Sequence, residues 1–294
     1  MKILLVSKGD NGGGTYWLAQ AINKHTQHKA RSVRVLQSFI QYPFDVLDPG
    51  DEELAELCAR ADLVHCRDSF DFLPESGQAK IKVMTYTGMS YRRKCSDLIR
   101  FCRDRGWTVC VSTIDLTEYH GKRQEPPIWL PNPREDMQSR AKKYEHFTVA
   151  HAPTVRERKG TEVVIQAFKG LDAKLALIEG LTYSQCVKRK RKCHALIDQF
   201  AWGYGNNAIE AWAMGMPVIG GVMLEKYADV VLRTAGFLPY IPAEETIDSI
   251  RAAVQRAVDS PKWAIERGRE YFHAFHHAPV VAQRAVEIYE AALS

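Results

Sequence analysis

The feature that most constrains this chain is an alternation of short apolar runs with helix-patterned segments, repeated along its length. "KILLV" leads through the glycine loop "GDNGGG" into "TYWLAQAINKH", and "RSVRVL" follows. "DEELAELCARA" precedes "DLVHC", while "IKVMTY" and "WTVCVS" flank a basic helix over 90–105. Apolar runs of this kind, joined by crossover helices, belong to parallel sheets buried on both faces. Residues 121–146 change character, with four prolines between 126 and 133 and then a polar, charged segment. That stretch reads as an interdomain linker. Beyond it a second series begins: "FTVAHAP", helix "GTEVVIQAFKGL", strand "AKLALIEG", helix "TYSQCVKRKRK", strand "CHALIDQ". The closing segments "IDSIRAAVQRAVDS", "PKWAIERGREYFHAFHH" and "APVVAQRAVEIYEAAL" read as helices. The expected class is α/β, with two Rossmann-like halves.

A chain of 294 residues, 46% apolar and 26% charged, is long enough for two domains with separate cores. No run approaches the roughly 18 apolar residues of a membrane-spanning helix. The apolar run in "MKILLVSKGD" is too short for the core of a leader peptide, so the expectation is a cytoplasmic protein without a transmembrane segment. Seven cysteines, odd in number and without a CxxC pair, read as reduced, mostly buried thiols rather than a disulfide or zinc framework. The net charge of +5 is unevenly spread: "RRKCSDLIRFCRDR" (92–105) and "KRKRK" (188–192) are strongly basic. Either these are solvated helix faces, or they form a surface that meets phosphate, nucleic acid or an anionic membrane.

Three loops carry candidate chemistry. Gly12, Gly13 and Gly14 follow the first strand and precede a helix, where backbone can approach a ligand; a tight turn explains them equally well. Arg156, Arg158 and Lys159 fall between a strand and a helix that begins near Gly160, at the carboxyl edge where α/β sheets bind ligands. Cations beside a helix N-terminus suit a diphosphate. In "GYGNNAIEAWAMGMPVIGG" (203–221), Gly203 and Gly205 give a turn and Asn206 and Asn207 are good N-caps. Glu210 is read in the first helical turn, as a partner of the helix dipole or as an acceptor for ribose hydroxyls.

With these residues in view, "GYGNNAIEAWAMGMPVI" resembles the "EGFGLxxxEAMAxGxPVI" signature of GT-B glycosyltransferases, specifically the large retaining family four. "HAPTVRERKGTEVVIQAF" is similar to a variant of that family reading "HAPSNRxxKGTxxxIxAV", and "LIEG" with "CHALIDQFAWGYG" to its "LIEG…ADIVVDQxxxGWYG". "LPNP" resembles the interdomain "IPNGVD", and "MTYTGMSYRR" the amino-terminal "xxYHGSxxR". The likeness covers most of residues 1–220, and the chain resembles phage members of this group. Two departures stand out: Trp202 occupies the place of the family's first glutamate, and Thr87 that of the histidine in "YHG". Trp202 is read as a core aromatic, and His65 and His151 as structural.

The resemblance implies two Rossmann-like domains facing across a cleft. The acceptor-side domain would span 1–145 and the donor domain 146–275. The last helix, 276–294, would return to pack on the first domain. Arg156 and Lys159 would hold the donor diphosphate and act catalytically. Asp198, Gln199, Tyr204, Gly205, Asn206, Asn207 and Glu210 would complete the donor pocket, with Gly12 to Gly14 opposite. Thr87, Gly88 and Arg92 would lie on the acceptor side. It further implies a retaining, hexosyltransferase-type enzyme that uses a nucleoside-diphosphate sugar as co-substrate and needs no cofactor or metal. The acceptor would be a saccharide or glycolipid. The alternative acceptor, to which a short chain with a basic amino-terminal helix points, is DNA with hydroxymethylated bases. A third reading is a non-catalytic module that binds nucleotide sugars or nucleic acid.

Overall fold

The computed structural model describes residues 1–10, 12–139, 146–201, 203–221 and 225–294, the side chains of 89 and 225–227 aside. Two compact units are present: Met1–Pro133 with Ala278–Ser294, and Arg134–His277. Residues 140–145 of the linker reading lie outside the described residues, as does Trp202.

The first unit holds a seven-stranded, wholly parallel sheet. Its strands are β1 (Lys2–Ser7), β2 (Lys29–Arg34), β3 (Val46–Leu47), β4 (Leu63–Arg67), β5 (Ile81–Tyr86), β6 (Thr108–Val111) and β7 (Ile128–Trp129). They are ordered β3-β2-β1-β4-β5-β6-β7, the doubly wound arrangement whose direction of growth reverses between β1 and β4. On one face α1 (Gly14–His25) packs with α11 (Ala278–Leu293), bringing Leu18, Ala19 and Ile22 against Val281, Ala282 and Ala285. On the other, α2 (Asp51–Arg60) and α4 (Gly88–Arg103) cover Leu4, Val64, Met84 and Val109. His65 in β4 joins the layers, its ring nitrogens lying 2.8 Å from the Tyr289 hydroxyl and 2.7 Å from Thr85 Oγ1.

The second unit has a five-stranded parallel sheet, ordered β12-β11-β10-β8-β9. These are β8 (Thr148–His151), β9 (Lys174–Leu177), β10 (Ala195–Ile197), β11 (Val218–Gly220) and β12 (Ile241–Pro242). Here the order reverses between β8 and β10. Helices α5 (Thr161–Ala167), α6 (Tyr183–Lys190), α7 (Asn206–Ala213), α8 (Glu225–Ala235), α9 (Ile247–Asp259) and α10 (Pro261–Tyr271) alternate with and follow the strands. The core gathers Val149, Val164, Ala195, Ile197, Ile219 and Ile250.

Three local readings change. The "EPPIWLP" part of the proline-rich stretch is not linker: Ile128–Trp129 pairs with β6 as an edge strand, and Leu130 is buried in the first unit. An edge tolerates the flanking prolines because their missing N–H groups face no partner strand. In α7 the N-cap is Gly205 rather than an asparagine, and Glu210 falls beyond a first turn that holds no acid. The basic helix α4 is kinked at Lys94, whose backbone (φ −130°, ψ 17°) leaves the helical region.

Candidate functional site

Ligands of open α/β sheets bind outside the carboxyl ends of the strands where the order reverses. In the second unit that place lies beyond β8 and β10, and several of the sequence candidates converge there. Lys159 Nζ donates to Asp198 Oδ1 at 2.7 Å, while Asp198 Oδ2 accepts the Gly205 N–H at the head of α7. The Asp198 side chain is fully buried, so its charge is balanced by that lysine and that amide, and Lys159 is fixed close to the start of the helix. Gly160 just beyond it has φ +62°, and a Cβ there would come within 2.9 Å of the Glu245 carboxyl group. Arg156 is half-exposed and makes a two-pronged contact with Glu179 (2.8 and 2.6 Å) plus one with Glu162 (2.8 Å). Those carboxylates hold its pKa above the ordinary arginine value. Gln199 is half-buried, its carbonyl accepting the Gly221 N–H at 2.7 Å, and Asn206 is half-buried in the first turn of α7.

Below this edge lies a second, fully buried cluster. Lys190 donates to Glu210 Oε2 and, at 2.9 Å, to Asn207 Oδ1; Arg134 Nη2 lies 3.4 Å from Glu210 Oε1. Glu210 and Lys190 are each 1% exposed and Arg134 is 2%, so both carboxylate oxygens of Glu210 already face protein cations. Asn207 also donates to the Ala152 carbonyl at 2.9 Å, which ties the head of α7 to the end of β8. Tyr204 is buried too, its hydroxyl 2.8 Å from that of Tyr271 and 3.0 Å from His276 Nε2. His151 accepts from Thr161 Oγ1 through Nε2 (2.9 Å) and donates to the Ile197 carbonyl through Nδ1 (3.0 Å), as that carbonyl can only accept. Burial lowers its pKa, and the nearby Lys159 acts in the same direction.

Sequence reasoning missed Lys190 by reading 188–192 as one surface run, whether a solvated helix face or a surface for an anionic partner. The helical phase carries the missing signal. Tyr183, Val187 and Lys190 stand at i, i+4 and i+7, and these are the buried positions of α6. Arg134, immediately after "LPNP", left no such trace.

In the first unit the glycine loop is already furnished with an anion. Asp10 Oδ2 accepts both the Thr15 N–H and the Thr15 hydroxyl, each at 2.7 Å, and Gly12 N lies 3.4 Å from Oδ1. Arg67, at the end of β4, sits 3.7 Å from Asp10 and donates to Asn132 Oδ1 at 3.2 Å. Burial pushes the Asp10 pKa up, but Arg67 and the Thr15 donors outweigh it and leave it lowered. Gly13 has φ +64°, and a Cβ on Gly14 would fall 2.3 Å from the Arg67 guanidinium. These two glycines therefore have a packing reason within this unit.

Beyond β4 and β5 the first unit opens a cavity of about 610 Å³, lined by Asp68, Thr87, Ser90, Arg93, Lys94 and Leu98 among others. Thr87 donates to the Asp68 carboxylate through its N–H and its hydroxyl, both at 2.7 Å. Gly88 follows with φ +59° and open space where a Cβ would stand. Arg92 is turned elsewhere: its side chain is 10% exposed, pairs with buried Asp115 and lies over the Tyr119 ring. Its neighbours Arg93 and Lys94, both exposed, line the cavity instead.

No family model and no curated protein sequence matches the chain. Solved structures do resemble it. An alpha-glucosyltransferase in complex with UDP is similar over 98% of this chain and 99% of its own, with a TM-score of 0.68 and 9% identity. The alpha-glucosyltransferase in complex with UDP and a 13-mer DNA containing an HMU base matches over 98% and 99% (TM-score 0.63, 11% identity). Sucrose-phosphate synthase from Thermosynechococcus elongatus matches over 100% and 99% (TM-score 0.63, 14% identity). At these identities the likeness speaks of architecture: the chain has the α/β fold of GT-B glycosyltransferases, with two Rossmann-like units.

Proposed function

We propose that the chain is a glycosyltransferase that moves a sugar from a nucleoside-diphosphate sugar to an acceptor hydroxyl. The observation that supports this most is the carboxyl edge of the second sheet. There Lys159 is held by Asp198 at the head of α7, with Arg156 exposed on the same loop. Surface ion pairs contribute about 0–1 kcal/mol, so a diphosphate can draw Arg156 away from Glu162 and Glu179 at little cost. Lys159, anchored on a buried carboxylate, arrives already placed. As the sugar–phosphate bond breaks, charge builds on the leaving diphosphate, and Lys159, Arg156 and the amides of α7 stabilise it. In this reading these cations take the place that a catalytic metal would fill. Retention of anomeric configuration and hexose transfer are part of the proposal, on the strength of the motif resemblance.

Glu210 receives a different assignment. Its oxygens face Lys190 and Arg134 inside the unit. We assign it to positioning the head of α7 through Lys190 and Asn207, in place of the direct ribose contact that the motif implies.

The acceptor in this proposal is a saccharide or glycolipid. A second reading, DNA carrying hydroxymethylated bases, is favoured by one observation: Arg93 and Lys94 line the first unit's cavity, with no ion-pair partner among the described residues. The alpha-glucosyltransferase captured with DNA containing an HMU base lends it support.

The test is thermal unfolding with a panel of nucleoside diphosphates and their sugars, for the native chain, Arg156→Ala and Lys159→Met. A ligand at a hundredfold excess over its dissociation constant should stabilise by about 2.7 kcal/mol. A shift for one nucleotide, reduced in both variants, supports the donor site; no shift for any nucleotide sinks the reading. Duplex hydroxymethyl DNA and glycans are then compared as acceptors over a salt series. Steep loss of activity with salt points to DNA, and flat dependence to a neutral glycan. Binding without transfer to any acceptor would leave a nucleotide-binding module.

A further inference from the structure

A second constellation in Arg134–His277 has no part in the transfer chemistry. A single π-helical turn, Phe272–His276, ends the helical run that α10 begins, and the chain turns to extended backbone at His277. This turn divides the histidines of "FHAFHH". His276 is buried and meets the Tyr204 hydroxyl, while His273 and His277, four residues apart, emerge side by side. Their rings are 4.8 Å apart, edge to face. Asp136 stands opposite, near the beginning of the same unit. His277 Nε2 is 3.5 Å from Asp136 Oδ2, and His273 Nε2 is 3.9 Å from Oδ1. The three ligand atoms all lie within 4.8 Å of one another.

We propose that Asp136, His273 and His277 form a binding site for one divalent transition-metal ion of the zinc class. Two imidazoles and one carboxylate are a nitrogen–oxygen donor set that suits zinc, and three protein ligands leave a position to solvent. Zinc–nitrogen bonds of about 2.0–2.1 Å in tetrahedral geometry place ligand atoms roughly 3.3 Å apart. The His277–Oδ2 separation of 3.5 Å is already near that value; His273 faces the other carboxylate oxygen at 3.9 Å, so its half-exposed ring must swing inward toward Oδ2. Arg269 donates to Asp136 Oδ1 at 2.6 Å and to the Ala213 carbonyl at 3.1 Å. It thus holds the carboxylate in orientation, as the outer partners of metal ligands do, and leaves Oδ2 toward His277. Its positive charge also weakens attraction for a cation, so the ion at this site is exchangeable rather than permanently resident.

The site joins the beginning and the end of the unit. The Arg134 N–H donates to the His276 carbonyl at 2.9 Å, so the two chain segments already touch beside the cluster. A metal ion across Asp136 and the two histidines would fasten them together. The consequence is thermodynamic: an ion bound only by the folded unit raises its unfolding midpoint.

The test uses the purified full chain, stripped with chelator and titrated calorimetrically with zinc, then with cobalt for its absorption spectrum. The expected result is one ion per chain, a cobalt spectrum without thiolate charge-transfer bands and a rise in the unfolding midpoint. His273→Ala and His277→Ala should each weaken binding at least tenfold, and His146→Ala, elsewhere on the surface, should leave it unchanged. His277→Gln serves if the alanine variant unfolds. No binding at millimolar zinc would overturn the proposal. So would affinity unaltered by both histidine variants, or thiolate bands, which would place the ion on cysteines. The outcome is independent of nucleotide binding and does not bear on the transferase proposal.

Discussion

Each sheet carries a largely buried cation–carboxylate pair where its strand order reverses, but the two pairs are built in opposite order. In the first unit the acid, Asp10, comes from the loop after the opening strand, and the cation, Arg67, ends the neighbouring strand. In the second the cation, Lys159, comes from the loop, and the acid, Asp198, follows the neighbouring strand. The order decides what each loop has left for a ligand. Asp10 takes the Thr15 N–H and hydroxyl, so the head of α1 already faces an anion, and a phosphate arriving there would meet a like charge. In the second unit the loop itself brings the cations, and Asp198 both neutralises Lys159 and seats it at α7. A glycine-rich loop after a first strand is therefore an anion cradle only if it does not supply its own acid, and "GDNGGG" does.

The largest expected effect probes what lies beneath the second pair. Glu210→Ala leaves Lys190 and Arg134 as buried cations without their carboxylate, and removing one partner of a buried pair costs about 3–5 kcal/mol. Chemical denaturation should show a loss of that size. A stable, fully folded Glu210→Ala chain that has lost only nucleotide binding would overturn our assignment and restore the ribose contact.

Next comes Lys159→Met, expected to lower transfer on the order of 10²-fold, equivalent to about 2.7 kcal/mol of transition-state stabilisation. Lys159→Met also strips buried Asp198 of its cation and so costs stability, whereas the matching change in the first unit, Asp10→Ala, should act on stability alone. It leaves the buried Thr15 donors unsatisfied and Arg67 without its acid, a cost of about 1–3 kcal/mol. If Asp10→Ala instead tightened nucleotide binding at unchanged stability, the contrast between the two loops would fail.

The buried histidines give the pair of units a common acid sensitivity. Burial, with Arg67 adding to it, pushes the His65 pKa down to about 3, and His151 is lowered for the same first reason. An unfolded histidine binds its proton near pH 6.5, so between about pH 3 and 6.5 the unfolded chain holds more protons than the folded one. The stability that His65 contributes is complete above that window and is lost as pH falls, by up to about 1.4 kcal/mol per pH unit, and His151 acts in the same direction. Denaturation midpoints at pH 7.5 and 5 should differ accordingly, and His65→Gln should remove part of the slope. An unchanged slope in that variant would mean that His65 does not carry it.

How much of this could be read from the residues varies with the kind of signal. The α/β class follows from apolar runs such as "KILLV" and "IKVMTY", whose burial on both faces leaves few alternatives, and the same pattern repeats in the second unit. Lys159 and Asp198 come together because both lie in segments that follow strands, Lys159 in the loop between β8 and α5 and Asp198 directly after β10, and parallel topology gathers such segments on one edge. What escaped were features decided by packing. β7 is two residues long, and prolines around it mimic a linker. Lys190 is buried by the phase of α6 while its neighbours Arg189 and Lys188 are exposed, so a count of charge hides it. Asp10 was in plain view, but nothing in its spacing said that it would fold back onto Thr15.

Arg92 and Arg93 offer the smallest effect and the finest distinction. Adjacent in sequence, they diverge: Arg92 is held by Asp115 and Tyr119, whereas Arg93 is exposed on the wall of the first unit's cavity. Arg93→Ala should leave stability within about 0.5 kcal/mol of the native value, as exposed substitutions do. Arg92→Ala removes the partner of buried Asp115 and should cost distinctly more. If the acceptor is DNA, Arg93→Ala should weaken acceptor binding at all sequences alike and reduce the slope of log affinity against log salt by about 1. If it is a neutral glycan, the slope is flat in both chains and the substitution changes it little. The salt slope of this one variant therefore separates the two acceptor classes at a position where folding does not intrude.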